Sequence, residues 1–167
     1  MKTLTLIRHA KSDWGYEGLQ DIDRPLNQRG YTDAYVMSTW FKEHYPIPQQ
    51  IVTSTATRNL STSFIFAREL GYDQTRLKLV PDIYECRDQV LLDIIAGLDN
   101  SYNDIMLFAH NAAITNVCNI LNSDLDFENL PTCAIVRLGF DIDHWQQTRT
   151  VKGRVIEHHF PKNFRQD

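Results

Sequence analysis

Short apolar runs alternate with helix-length amphipathic stretches along this chain, and that alternation limits the folds open to it. Residues 3–7, 50–53, 77–80 and 104–109 read as strands. The last of these is apolar at every position after Asp104, as a strand covered on both faces must be. Helical stretches are expected at 29–44, 58–70, 89–98 and 112–121. Their apolar residues recur at three- and four-residue spacing. The inward sets are Ala34, Met37 and Phe41; Leu60, Phe64 and Ala67; Leu91, Ile94, Ile95 and Leu98; and Ile114, Val117, Cys118 and Leu121. Pro46 and Pro48 follow the first helix, and Gly71 stands where the second should be capped. Two further strands, 133–140 and 154–160, follow each other without a helical pattern and predict an antiparallel edge. The polar stretch 141–152 around Trp145 reads as their connection. The expected fold is therefore α/β: a three-layer α/β/α sandwich with a mostly parallel central sheet and an antiparallel edge. Length supports one domain over residues 1–167.

Composition removes several function classes. Apolar residues make up 43% and charged residues 23%, which is ordinary for a globular chain and argues against disorder. The net charge of −4 does not suit a general nucleic-acid binder. No apolar run approaches the roughly 20 residues that span a bilayer, so no membrane partner is expected. No export signal is visible, and Cys86, Cys118 and Cys133 are an odd, widely spaced set. Free thiols in a reducing cytoplasm are the expected state. Neither a carboxylate cluster of magnesium type nor a zinc-like Cys/His spacing is present, so no metal and no cofactor is expected. The adjacent His158 and His159 point to opposite faces of a strand and read as structural.

Polar chemistry concentrates where strands end. The first strand runs into Arg8-His9, the second into Ser54 with Arg58 close behind, and the fourth into His110-Asn111. Sites in open α/β sheets form beyond the carboxyl ends of strands. If these strands are neighbours, two imidazoles and two guanidiniums meet in one pocket. Guanidinium groups bind phosphate oxygens bidentately, so such a pocket suits a dianion.

Several stretches, in order, resemble the histidine phosphatase superfamily, and most closely its short SixA-like phosphohistidine phosphatase branch. They are Arg8-His9-Ala10-Lys11-Ser12, Asp23-Arg24-Pro25-Leu26-Asn27 with Arg29-Gly30, and Ser54-Thr55-Ala56-Thr57-Arg58. Then come Ile83-Tyr84-Glu85, His110-Asn111, and Leu130-Pro131-Thr132-Cys133-Ala134 with a later Trp145. The resemblance implies a phosphoglycerate-mutase-like sandwich and a phosphate pocket of Arg8, His9, Arg58 and His110, with His9 as nucleophile. By position it also implies Glu85 as general acid, with Asp82 the other candidate. Ser12 and Asn111 flank the two histidines and are expected to bind phosphate or to support the loops. Three departures stand out: Ala109 replaces a usual glycine, Ala112-Ala113 replace a usual Pro-Gly, and Thr62 is the nearest match to a threonine expected after Arg58.

The resemblance implies a metal-independent phosphatase with a phosphohistidine intermediate. Attack requires a neutral His9, and the expectation is that Arg8, Arg58 and a partly cationic His110 favour that form by repulsion. A phosphorylated protein is the expected partner, because the chain lacks room for insertions that would enclose a metabolite. A small phosphoester remains the alternative, and a silent phosphate-binding module the third reading. Oligomeric state is left open.

Overall fold

A computed structural model describes residues 1–164. Among them, six strands form one sheet: β1 (Lys2–Arg8), β2 (Gln50–Thr53), β3 (Lys78–Leu79), β4 (Asp104–Ala109), β5 (Ile135–Phe140) and β6 (Arg154–His159). Their order is β3-β2-β4-β1-β5-β6. The first four strands in that order run parallel, while β5 and β6 add the antiparallel edge. Four helices cover the faces: α1 (Gln28–His44), α2 (Thr57–Leu70), α3 (Asp88–Ala96) and α4 (Ala113–Leu121).

Two-residue alternation divides the sheet between two cores. Leu4, Leu6, Ile105 and Leu107 join Leu91, Ile95, Ile114 and Val117 beneath α3 and α4. Ile7, Met106 and Phe108 join Met37, Phe41, Ile65 and Phe66 beneath α1 and α2. This double cover is why β4 is apolar at every position after Asp104. Phe66 meets Phe108 edge-on at 5.2 Å between centroids, and truncating either to alanine should cost roughly 3–5 kcal/mol.

Three details differ from the sequence expectation. On α2, Leu60 and Phe64 are only half-buried, and the inward face carries Ile65, Phe66, Ala67 and Leu70 with the polar Arg58, Asn59, Thr62 and Ser63. The first turn of α2 packs on polar strand ends, and that rotates the stripe. The third strand contracts to two exposed residues at the sheet edge. Trp145 is fully buried although its surroundings are polar. Its backbone N–H donates to Asn100 Oδ1 at 2.7 Å and its indole N–H to the Tyr102 carbonyl at 3.0 Å, so a 3-10 turn over Trp145–Arg149 replaces an open hairpin loop.

Register then assembles the polar strand ends. Arg8 pairs with Ala109, and Thr53 pairs with Phe108. The carboxyl ends of β1, β2 and β4 are thus level, and His9, Ser54 and His110 emerge side by side. No helix among the described residues is long and apolar enough to cross a membrane.

Candidate active site

The two imidazoles lie 5.3 Å apart between centroids, tilted by 55°. His9 is fixed first. Its Nδ1 sits 2.8 Å from the Ala10 carbonyl, which can only accept, so Nδ1 carries the proton and Nε2 keeps its lone pair. Thr62 anchors the next residue: its Oγ1 accepts from the Ala10 N–H at 3.0 Å and donates to the Arg58 carbonyl at 2.7 Å. His110 Nε2 lies 2.8 Å from Ser54 Oγ. The Tyr84 ring stands edge-on to His110 at 5.6 Å.

Asp21 organises the guanidiniums. Its Oδ2 accepts from Arg58 Nη2 at 3.0 Å and from the Tyr84 hydroxyl at 2.6 Å. Its Oδ1 accepts from Arg24 Nε at 3.0 Å, and its backbone carbonyl accepts from Arg58 Nη1 at 2.8 Å. The Tyr84 hydrogen bond, with Arg24 and Arg58, holds the Asp21 carboxyl well below the usual carboxylate range. Burial and the same carboxylate push the Tyr84 phenol up to about 12, so it stays a donor. Arg8 donates through Nη1 to the Leu130 carbonyl at 2.8 Å. The Nε atoms of Arg8 and Arg58 have no hydrogen-bond partner among the described residues, so both groups keep unused donors.

The backbone around His9 is equally tied. Asn27 N–H donates to the Lys11 carbonyl at 3.0 Å, and Ser12 bridges to Leu26. Asn27 Oδ1 caps α1 by accepting from the Gly30 N–H at 2.8 Å. A Cβ at Gly30 would lie 2.1 Å from the Lys11 carbonyl oxygen, so only glycine lets α1 start this close to the site.

Arg8, His9, Arg24, Arg58 and His110 line a cleft of about 270 Å³ with Lys11, Ser12, Trp14, Asn111 and Thr132. A roomier cleft of about 650 Å³ lies elsewhere, between the start of α1 and Phe164, and joins no histidine to a cation cluster. Burial, helped by the nearby cations, lowers His9 to about 3 and His110 to about 4. Burial also lowers Arg8, with Arg58 adding repulsion. Both histidines are therefore neutral at pH 7. This corrects the expectation of a partly cationic His110: exclusion from water, more than repulsion, sets both imidazoles.

Of the residues singled out from sequence, Arg8, His9, Ser12, Arg58, His110 and Asn111 all line the cleft. Ser12 Oγ accepts from Arg24 Nη1 at 2.6 Å. The Asn111 amide is spent on Asn129 Oδ1 and the Leu130 carbonyl, which positions the loop that holds Arg8. Glu85 and Asp82 are exposed and do not line the cleft. Glu85 has a left-handed backbone, with φ of 54°. Sequence reasoning missed Asp21, Arg24 and Tyr84 as members of the site, although Arg24 and Tyr84 lie in quoted motifs. Their roles depend on a loop folding back over α2, which no local pattern announces. No group of three or more His, Cys, Asp or Glu able to hold a metal occurs among the described residues.

The model of the histidine phosphatase superfamily (branch 1) matches residues 4–88. The chain belongs to this superfamily. A SixA protein from Agrobacterium tumefaciens is 25% identical, with a TM-score of 0.81 over 96% of this chain and 98% of that one. The protein histidine phosphatase SixA bound to tungstate is 16% identical and shares the fold, with a TM-score of 0.83 over 98% and 99% of the two chains. An uncharacterized chloroplastic protein of Arabidopsis thaliana is 26% identical across 91% of this chain and 72% of its own length.

Proposed function

We propose that this chain is a phosphatase that removes phosphate from phosphohistidine carried on a protein, acting as one domain in the cytoplasm. His9 Nε2 attacks phosphorus in line; the new N–P bond forms as the bond to the leaving nitrogen breaks, and that nitrogen keeps the electron pair. Water then attacks phospho-His9, the N–P bond breaks, and inorganic phosphate leaves. Arg8 and Arg58 stabilise the equatorial oxygens through both steps. Entry of a dianion raises the affinity of His110 for a proton, so His110 can pass one to the leaving group.

The observation that carries this reading is the lining of the cleft. No Asp or Glu among the described residues lines it. An alkoxide leaving group needs a strong acid at hand, whereas imidazole leaves with far less demand for a proton. The volume of about 270 Å³ also lies at the small end of the roughly 300–1,000 Å³ usual for small-molecule pockets. A phosphoryl group on a partner's surface fits that dimension. The SixA tungstate complex, a phosphate-like oxyanion on a protein histidine phosphatase, supports the same chemistry.

The test is kcat/KM for a phosphohistidine-bearing protein beside aryl and alkyl phosphates, with EDTA present. Preference for phosphohistidine, loss of turnover in His9→Ala, and acid-labile phosphate trapped on the parent protein are expected. Glu85→Gln should change phosphohistidine turnover less than about threefold. Preference for the alkyl ester would move the substrate to a small phosphoester and make Glu85 the acid.

A further inference from the structure

Three side chains immobilise Arg24, and none of them uses its last nitrogen. Its Nε donates to Asp21 Oδ1 at 3.0 Å and its Nη1 to Ser12 Oγ at 2.6 Å. The indole of Trp14 lies over it, 3.4 Å from guanidinium carbon to ring centroid. The residue is only 9% exposed, yet it lines the cleft beside Arg58 and Ser12. Nη2 makes no hydrogen bond among the described residues and, unlike the Nε of Arg8 and Arg58, is not buried.

Placing a third guanidinium here is costly without an anion. Arg24 and Arg58 bind opposite oxygens of one carboxylate, so two cations share a single neutralising charge. Arg8 meets only a carbonyl, and Lys11 adds a fourth cation to the lining. Like charges withdrawn from water repel unless a counter-charge joins them. Nη2 stays free for a ligand, because the two contacts that hold Arg24 through hydrogen bonds use only Nε and Nη1. Trp14, itself 73% exposed, is explained by the same duty: its ring shields the cation without neutralising it.

We propose that Arg24 is a third phosphate-binding guanidinium, which donates through Nη2 to a non-bridging oxygen of the phosphoryl group held by Arg8 and Arg58. The proposal rests on the reading of this cleft as a phosphoryl-transfer site. It makes Arg24 a catalytic residue, and Asp21, Ser12 and Trp14 the residues that position it.

The experiment measures inorganic phosphate binding by calorimetry and turnover of phenyl phosphate, in the parent, Arg24→Gln, Arg24→Ala and Arg154→Gln. Arg154 is 82% exposed in its side chain and remote, so it controls for net charge. Arg24→Gln should weaken phosphate binding about 10- to 100-fold, as expected for losing a charged hydrogen bond, and lower kcat/KM at least as much. Guanidinium ion at millimolar concentration should partly restore Arg24→Ala, while sodium chloride should not. Phosphate binding by Arg24→Gln within about twofold of the parent would overturn the proposal. Should the variants fail to fold, the parent protein still decides. The Arg24 guanidinium N–H resonances must shift on addition of phosphate, and unchanged resonances overturn the assignment. Phosphate binding needs no turnover, so the two readings fail separately. A parent inactive on phosphohistidine but sensitive to Arg24→Gln in phosphate binding would retire the function and keep Arg24.

Discussion

The low affinity of His9 and His110 for protons should appear directly in the acid limb of kcat/KM. The perturbation is a change from pH 7 to pH 5. A histidine with the ordinary value near 6.5 falls from about 76% to about 3% neutral across that interval, a loss of roughly 25-fold. With His9 at about 3 and His110 at about 4, the free protein at pH 5 keeps about 99% and about 90% of the two groups neutral. An aryl oxide leaves without a proton from His110, so turnover of an aryl phosphate, which needs both groups neutral, should change less than about twofold. The assay is kcat/KM on an aryl phosphate, divided by the substrate's own ionisation measured separately. A drop of tenfold or more with the fold intact would refute the buried, neutral pair. A rise of about 100-fold would refute it differently, by showing that His110 must arrive protonated.

The fold needs monitoring over the same range, and the sign follows from linkage. Both folded values lie below the unfolded value near 6.5, so the unfolded chain binds more protons between them. Stability is full above pH 6.5 and declines as pH falls toward 4. For the pair the slope approaches roughly 3 kcal/mol per pH unit, and the loss is about 3 kcal/mol between pH 6.5 and 5. Circular dichroism at each pH separates this loss from a kinetic one, and NMR titration of the imidazoles measures both groups without turnover.

Three substitutions test the supports of the site. Asp21→Asn removes the charge that holds Arg24, Arg58 and Tyr84, and kcat/KM should fall about 10- to 100-fold, with a loss of roughly 1–3 kcal/mol in urea unfolding. Thr62→Val leaves the Ala10 N–H buried without an acceptor; a loss of roughly 1–3 kcal/mol by thermal unfolding and a lower kcat are expected. Gly30→Ala drives a methyl into the Lys11 carbonyl, so α1 must shift away from residues 11–13. Steady-state kinetics should show KM for phosphate esters raised, with stability reduced by roughly 1–3 kcal/mol.

Much of this architecture was legible because it is written in short-range patterns. Strand and helix order, the antiparallel edge and the Gly71 cap follow from periodicity and turn chemistry. Arg8, His9, Arg58 and His110 were legible because each lies at or just past a strand end, where α/β sheets place their sites. Trp145 was not, because a buried aromatic amid polar neighbours is explained only by acceptors on Asn100 and Tyr102, more than 40 residues away. Asp21 was hidden for the same reason: its partners Arg58 and Tyr84 are 37 and 63 residues downstream. The value of a titratable group was equally hidden, since burial depends on the whole cover of the cleft.

The departures from the family pattern can now be sorted by where the side chain goes. Ala109 ends β4 in register with Arg8, beside His110, where an added methyl could crowd a bound phosphate. Alternation sends it instead into the core beneath α3 and α4 with Ile105 and Leu107, and it does not line the cleft. Its carbonyl still serves the site, accepting from the His9 N–H at 3.3 Å and from Asn59 Nδ2 at 3.1 Å. Both bonds use the carbonyl alone, and the methyl lies in the core away from the cleft. Thr62, by contrast, spans Ala10 and the Arg58 carbonyl, one link between the loop of His9 and the helix that carries Arg58. The altered neighbours of Arg58 therefore keep a hydroxyl that ties the His9 loop to α2.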